Sequence, residues 1–391
     1  MITPRGASVL GAGIALVISW VALGEIELLA AGAALVAAVV IALAITRWDR
    51  PSLDVRRQLH PPLVHDGDRT AVELAITNLR RMPAFNLTMS DGVGGLGTAR
   101  FAVGHLRRQE PAAASYRIVC RPRGVYQVGP ARIKVGDPLG LASSESETGD
   151  VDQLIVYPAT ESLAGYPYVR GRDPSQMASR PEQSQRGGED FFTLRSYRNG
   201  DDLRRVHWPS SAKADELMIR QMENPWQSRA LVFFDVRRGS HQDQDTFEKA
   251  VKGAASVVKH LVAGGFAADL WLGSEVMDAK AYTAAMEALA RVQMVPAIDI
   301  KAVAGRLRRS GRGGALVLVT GSPDEDLLGV HRHLASQHRV TVLLAASATP
   351  GSLIPTFQRL GAKTVLPGAS PNWAPAWNQT MGRTWVSASA G

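Results

Sequence analysis

Two runs of almost unbroken apolar residues open the chain, Ala7 to Leu23 and Leu28 to Ile45, joined by Gly24-Glu25-Ile26-Glu27. Each is close to the ~20 residues that cross a bilayer as a helix, the form in which a segment satisfies its own backbone polar groups. So short a joint predicts a helical hairpin, residues 1–50. A cleaved signal peptide accounts for the first run and leaves the second unexplained. Arg5 precedes the first helix, Arg47, Arg50, Arg56 and Arg57 follow the second, and the joint is acidic. Basic residues collect on the cytoplasmic side of membrane spans, so a two-span anchor in the cell inner (plasma) membrane with cytoplasmic soluble domains is expected. The Arg cluster also stands where anionic headgroups would be.

Past the hairpin the period shortens to two. Val72, Leu74 and Ile76, then Tyr116, Ile118 and Cys120, then Ile133 and Val135 alternate with polar residues, as strands with one buried face do. Asn78, Gly92, Gly94, Gly95, Gly97, Gly124, Gly129 and Pro130 supply turns between them, which predicts an immunoglobulin-like β-sandwich over residues 51–142. Residues 143–228 follow as a linker, rich in Ser, Pro, Gly and charge, with one apolar strand from Leu154 to Tyr157. Ser143 to Ser146 reads as loop.

From Arg229 the pattern alternates between apolar strands and amphipathic helices. Strands are expected at Ala230 to Asp235, Ala268 to Gly273, Ala315 to Thr320, Val340 to Ala345 and Lys363 to Leu366. Helices are expected at Thr246 to Ala263, Ala281 to Gln293, Ile300 to Arg309, Glu325 to Gln337 and Ile354 to Leu360. That alternation predicts an α/β doubly wound domain on a parallel sheet over residues 229–391. A ligand site then lies beyond the carboxyl ends of the strands, near residues 235 to 241 and 320 to 323. The tail from Gly368 has no clear period, and Trp373, Trp377 and Trp385 are expected to cover an apolar patch.

Composition narrows the function. With 391 residues and 45% hydrophobic content the chain can build real cores. Its net charge of +8 is scattered rather than clustered, and no zinc-finger spacing or RNA-binding signature accompanies it, so no nucleic-acid partner is expected. Cys120 is the single cysteine, which excludes an intramolecular disulfide and a cysteine-rich metal site. No Gly-Lys-Ser/Thr phosphate loop, His-Glu-x-x-His or Gly-x-Ser-x-Gly elbow occurs. Gly311-Arg312-Gly313-Gly314 precedes a strand rather than a helix and reads as a turn. A non-enzymatic chain without a cofactor is the expectation.

One segment carries a specific resemblance. Gly188-Glu189-Asp190-Phe191, then Leu194-Arg195, Tyr197, Gly200-Asp201-Asp202, Arg204, His207-Trp208 and Ala212-Lys213 resemble the signature of the domain-of-unknown-function 58 family. Arg123-Gly124-Val125-Tyr126, Gly129-Pro130 and Asp137-Pro138-Leu139-Gly140-Leu141 look like the end of that family's β-domain. The charges of the signature alternate, and Gly200 permits a tight turn bearing the Asp pair. An ionic clasp results, with Phe191 and Trp208 as its apolar anchors, because pairing relieves the cost of burying such groups alone. The alternative is a hydrolase using the Asp190, Asp201, Asp202 and His207 group. Abundant Arg would hold those carboxylates ionised, and His207 stands where the family usually has Asp.

The carboxyl-terminal domain resembles a von Willebrand factor A-like fold, whose first strand ends in Asp-x-Ser-x-Ser and binds Mg²⁺. Here the run is Asp235-Val236-Arg237-Arg238-Gly239-Ser240-His241. Arg237 and Gly239 replace the two hydroxyls, and a guanidinium opposes a hard cation, so no metal is expected. Asp324 and Asp326 read as a solvated helix start. Asp235, Arg237, Ser240 and Thr320 are the expected partner-binding face, with Arg237 open to an acidic partner residue. The resemblance implies a membrane-anchored scaffold working with a MoxR-type AAA+ ATPase, and a transglutaminase-like membrane protein as companion, in protein maturation or envelope assembly.

Overall fold

The structure, a computed structural model, describes residues 1–48, 53–79, 83–165, 192–197, 206–214, 216–222, 229–273, 276–278, 282–309, 314–348 and 351–388. The chain forms two compact units, Met1–Ala159 and Thr160–Gly391.

In the first unit, helices α1 (Pro4–Leu23) and α2 (Ile26–Trp48) are both long and apolar enough to cross a membrane. Thr3 starts α1 by accepting a hydrogen bond from the Gly6 N–H, and Pro4 fits the first turn, where a missing N–H costs nothing. Gly24, left-handed at φ 74°, ends it. The helices meet closely at Gly13 and Gly32, where a Cβ on Gly32 would stand 2.8 Å from the Gly13 carbonyl oxygen.

The sandwich stacks two sheets around one core. Strands β1 (Leu53–His60), β3 (Arg69–Asn78) and β6 (Pro111–Val119) form the smaller sheet, in the order β1-β3-β6. The larger contains β2 (Leu63–His65), β4 (Ala84–Val93), β5 (Gly97–Leu106), β7 (Gly124–Val128), β8 (Ala131–Gly136), β9 (Ser143–Thr148) and β10 (Asp152–Tyr157). Its order is β2-β10-β7-β4-β8-β9, with β5 also on β4. Val72, Leu74 and Ile76 point into the core, as the period of two requires, with Leu87, Met89, Ile133, Leu154 and Val156 opposite.

Two sequence expectations need correction here. The sandwich does not end at residue 142: Ser143–Thr148 pairs with β8, and Asp152–Tyr157 lies between β2 and β7. A sheet-edge strand of Ser, Glu and Thr pairs through its backbone, so it lacks the apolar period that marks a strand. Arg57 is not at the membrane surface either. Its side chain is 2% exposed and donates to both carboxylate oxygens of Asp91, at 3.1 and 2.6 Å, and to Asp152 at 2.8 Å. Tyr116 donates to the same Asp91 at 2.6 Å. Burial raises the Tyr116 hydroxyl's pKa, and the Asp91 carboxylate adds to it.

The second unit is built on one six-stranded sheet. Its strands are β13 (Arg229–Phe234), β14 (Ala267–Trp271), β15 (Val276–Asp278), β16 (Gly314–Thr320), β17 (His338–Ala345) and β18 (Lys363–Val365). The order is β15-β14-β13-β16-β17-β18, parallel throughout except for β15 against β14. Helices Gln244–Ala263, Tyr282–Arg291, Ile300–Arg309 and Glu325–Ala335 connect the parallel strands, which are continuous apolar runs because both faces are covered. The chain leaves β13 toward β14 on one side and returns to β16 on the other. Such a reversal leaves a crevice at the strands' carboxyl ends. Strand β15 is too short to show a period.

The tail forms a helix, Ala374–Ala388. Trp373 and Trp377 are fully buried, and Trp373 Nε1 donates to the Lys249 carbonyl. Glu161 accepts from the Trp373 and Ala374 N–H groups and pairs with Lys252 at 2.7 Å. Burial opposes the Glu161 charge, but Lys252 and the two N–H donors hold its pKa below the usual value.

Candidate functional site

Strand β13 delivers Asp235 to the carboxyl edge of the sheet, where the next residues turn through a 3₁₀ segment, Arg238–Ser240. Asp235 is fully buried. One of its oxygens receives the Arg237 N–H at 3.1 Å and Arg237 Nε at 2.9 Å. The other receives Arg237 Nη2 at 2.8 Å, Ser240 Oγ at 2.7 Å and, more weakly, Thr320 Oγ1 at 3.5 Å. The guanidinium continues outward to Asp324 at 3.0 Å and Asp326 at 3.1 Å. Burial works against the Arg237 charge, but hydrogen bonds and attraction from Asp235 and Asp324 outweigh it and raise its pKa.

The outer carboxylates have a second role. Asp324 caps helix Glu325–Ala335 by accepting from the Leu327 N–H at 2.8 Å, and Asp326 lies in its first turn. Negative charge is favoured there by the helix dipole. Lys301 pairs with Asp326 at 2.7 Å, and that bond lowers the Asp326 pKa. Beneath them, His241 sits with Nε2 2.8 Å from the Asp235 carbonyl oxygen, while its buried Nδ1 has no hydrogen-bond partner. A carbonyl only accepts, so Nε2 carries the proton. Burial holds His241 below the ordinary histidine pKa, and it is neutral. Gly321 allows the packing, since a Cβ there would stand 2.6 Å from His241 Nδ1.

All four residues of the expected partner face come together, but they are buried rather than presented. Asp235, Ser240 and Thr320 are occupied with one another and with Arg237. Arg237 is not open to an incoming acid, because Asp235, Asp324 and Asp326 already hold it. What the rim exposes is Arg238 and Gly239, with Asp324, Asp326 and Lys301 about half exposed. The sequence signal for Asp324 and Asp326 was present as helix-start chemistry, but their pairing with Arg237 spans 87 and 89 positions. Nothing in the local sequence marked His241 or Lys301.

The signature segment is described in part. Gly188, Asp190, Phe191, Gly200, Asp201, Asp202 and Arg204 lie outside the described residues. Leu194 and Arg195 fall in β11 (Phe192–Ser196), antiparallel to β12 (Met218–Met222). The Tyr197 N–H donates to Leu217 O, and the His207 N–H to Met218 O. Helix Trp208–Ala214 starts at Trp208, and Ala212 and Lys213 are exposed on it. Trp208 is 68% exposed, so it is not the apolar anchor expected of a clasp. Of the four groups named for hydrolysis only His207 is described, with Nδ1 2.8 Å from Ser210 Oγ.

Residues 193–348 match the family described as Protein of unknown function DUF58. That segment belongs to the DUF58 family. The uncharacterized protein YeaD of Bacillus subtilis is similar to this protein, at 26% identity over 314 residues, 75% of this chain and 76% of that one. Two solved structures resemble smaller parts. The CARDB domain of a Pyrococcus furiosus protein, crystallised with di-metal ions, is 16% identical, covers 28% of this chain and 89% of its own, and has a TM-score of 0.22. Red sea bream transglutaminase is 14% identical, covers 28% of this chain and 15% of its own, and has a TM-score of 0.21. The architecture of this protein therefore rests on its own strand pairing.

The chemistry of the Arg237 cluster can be tested against a cation. A divalent ion would take oxygen ligands from Asp235, Ser240, Thr320 and Asp324. The guanidinium lies between Asp235 and Asp324 and engages both, so an ion would have to displace a fixed positive charge. The residues of the Arg237 cluster do not fit a divalent cation. Among the described residues no group of three or more His, Cys, Asp or Glu is arranged to hold a metal.

Proposed function

We propose that this protein is a membrane-anchored, non-enzymatic interaction scaffold whose second unit is von Willebrand factor A-like and docks a partner without a bridging metal. The observation carrying this reading is the Asp235, Arg237, Asp324 and Asp326 cluster at the carboxyl ends of β13 and β16. A polar site whose acids are all paired with Arg237 or Lys301, and whose histidine is buried and neutral, suits recognition more than turnover. The sheet order, with β15 antiparallel at the edge, supports the A-like assignment.

The docking rim is Arg238 with Asp324, Asp326 and Lys301, a mixed-charge surface that sets orientation and association rate. The partner is a MoxR-type AAA+ ATPase, with a transglutaminase-like membrane protein as companion, and the process is protein maturation or envelope assembly. The hairpin lies in the inner membrane, with the soluble units on the cytoplasmic side.

Cross-linking mass spectrometry on the protein purified from its native membrane, in magnesium and in chelator, tests this. A AAA+ ATPase linked around residues 238 to 243 and 301 in both conditions is the expected result. Links that vanish with chelator would contradict metal-independent docking, and absence of any ATPase would remove the partner.

A further inference from the structure

The Asp137-Pro138-Leu139-Gly140-Leu141 motif is not used by the Arg237 site. It forms the loop between β8 and β9, and it is fastened to the base of the hairpin. The Thr3 N–H donates to Leu141 O at 3.0 Å, Thr3 Oγ1 donates to Gly140 O at 2.6 Å, and Ile2 bridges to Ala142. Gly6 lies so close that a Cβ would overlap the Leu141 carbonyl. Leu141 and Ala142 share a buried cluster with Val39 and Ala42 of α2, and Val9 and Leu10 of α1 pack against it.

The loop is also built to need little water. Buried Asp137 accepts the N–H groups of Leu139 and Ala142 through its carboxylate and that of Gly140 through its carbonyl. Asn86 Nδ2 donates to the same carbonyl at 2.8 Å. With these groups and the Gly140 and Leu141 carbonyls satisfied, the tip presents Leu139, which is 58% exposed. Irregular backbone is excluded from the lipid-exposed hydrocarbon region, so such a loop goes no deeper than the interface, where the fewer polar groups it leaves open the better it fits.

The level of the loop follows from the helix. The apolar run of α1 begins at Ala7 and rises about 25 Å at 1.5 Å per residue, short of the ~30 Å hydrocarbon core. The edge of the apolar layer therefore falls at the turn from Thr3 to Gly6, where Arg5 meets the headgroups and Leu141 packs.

We propose that the Asp137–Ala142 loop is a second, non-helical membrane contact, with Leu139 entering the boundary between phospholipid headgroups and acyl chains. The first unit is then mounted on the bilayer rather than tethered to it. This rests on the reading that the hairpin spans a membrane. The loop's Leu139 and its position beside the helix ends make a phospholipid surface the fitting partner.

The test uses full-length protein in phosphatidylglycerol and phosphatidylcholine liposomes. Leu139→Cys, Ile18→Cys in α1 and Val119→Cys in the sandwich each receive an environment-sensitive dye. Native Cys120 is fully buried, so unmodified protein serves as the labelling blank. Each position is challenged with spin-labelled lipid and with aqueous iodide. The expected result is severalfold stronger lipid than iodide quenching at Leu139 and Ile18, and the reverse at Val119. Lipid quenching at Ile18 with iodide quenching at Leu139 would overturn the loop contact and leave the anchor standing. Iodide quenching at Ile18 would remove the anchor and the proposal with it. Leu139 contributes only its backbone N–H to the loop's hydrogen bonds described above, and a melting curve matching the unmodified protein confirms that its replacement preserves the fold.

Discussion

Two buried arginines organise the two units of this molecule in different ways. Arg57 lies within the sandwich with 2% of its side chain exposed, and it is bonded to Asp91, Asp152 and the Val128 and Asp150 carbonyls. Arg237 is also buried, but its ligands form a gradient from Asp235 at zero exposure to Asp324 at 43% and Asp326 at 50%. The first network reaches solvent at Asp152, whose side chain is 40% exposed, and it ties β1 to strands of the other sheet. The second ends at the surface, at the crevice where the parallel sheet reverses direction. Similar chemistry thus serves cohesion in one place and a surface in the other, and what separates them is what the arginine joins: strands of two stacked sheets in the first, the end of one strand and the start of a helix in the second.

The largest way to sharpen this contrast is Arg57→Met. It strands Asp91, fully buried, without its cation, and breaking such a pair costs about 3–5 kcal/mol. Hydrogen-exchange mass spectrometry should show lost protection across β3 and β4 and unchanged protection in β13 and β16. Loss confined to β1 would mean that the network is peripheral.

Arg237→Ser is expected to cost less, about 2–3 kcal/mol, because the outer two carboxylates can regain water. It also frees the oxygens that the guanidinium occupies. Mn²⁺ should then raise the melting temperature of the variant by several degrees, while the unmodified protein melts alike in magnesium and in chelator. A magnesium-dependent shift in the unmodified protein would contradict the reading that Arg237 keeps a cation out of the cluster.

The smallest effect is a slope with pH. Burial holds His241, His260, His331 and His338 of the second unit below the ordinary histidine value. Their folded pKa values are depressed, so the unfolded chain takes up protons first. Stability is full above the ordinary histidine range and falls as pH drops through that range toward the folded values. Tryptophan fluorescence reports mainly on the second unit, since residues 53–159 contain no tryptophan and Trp20 and Trp48 lie in the hairpin. A melting temperature for that signal that is flat between pH 7.5 and 5.5 would contradict the assignment of these histidines as buried and neutral.

The sequence by itself determined the elements whose side chains carry a period. The two apolar runs, the alternation at Val72, Leu74 and Ile76, and the strand–helix succession after Arg229 are repeated burial decisions, each written in consecutive residues. It also located the edge of the sheet at Asp235. Only the tertiary structure decided which charges meet. Arg57 finds Asp91 34 positions away, Arg237 finds Asp324 87 positions away, and Ser143–Thr148 becomes a strand because β8 offers it an edge. A charge carries no period, and backbone pairing needs no particular side chain, so neither leaves a local trace. What Arg237 binds, and what Arg57 does not reach, follow from where the chain returns.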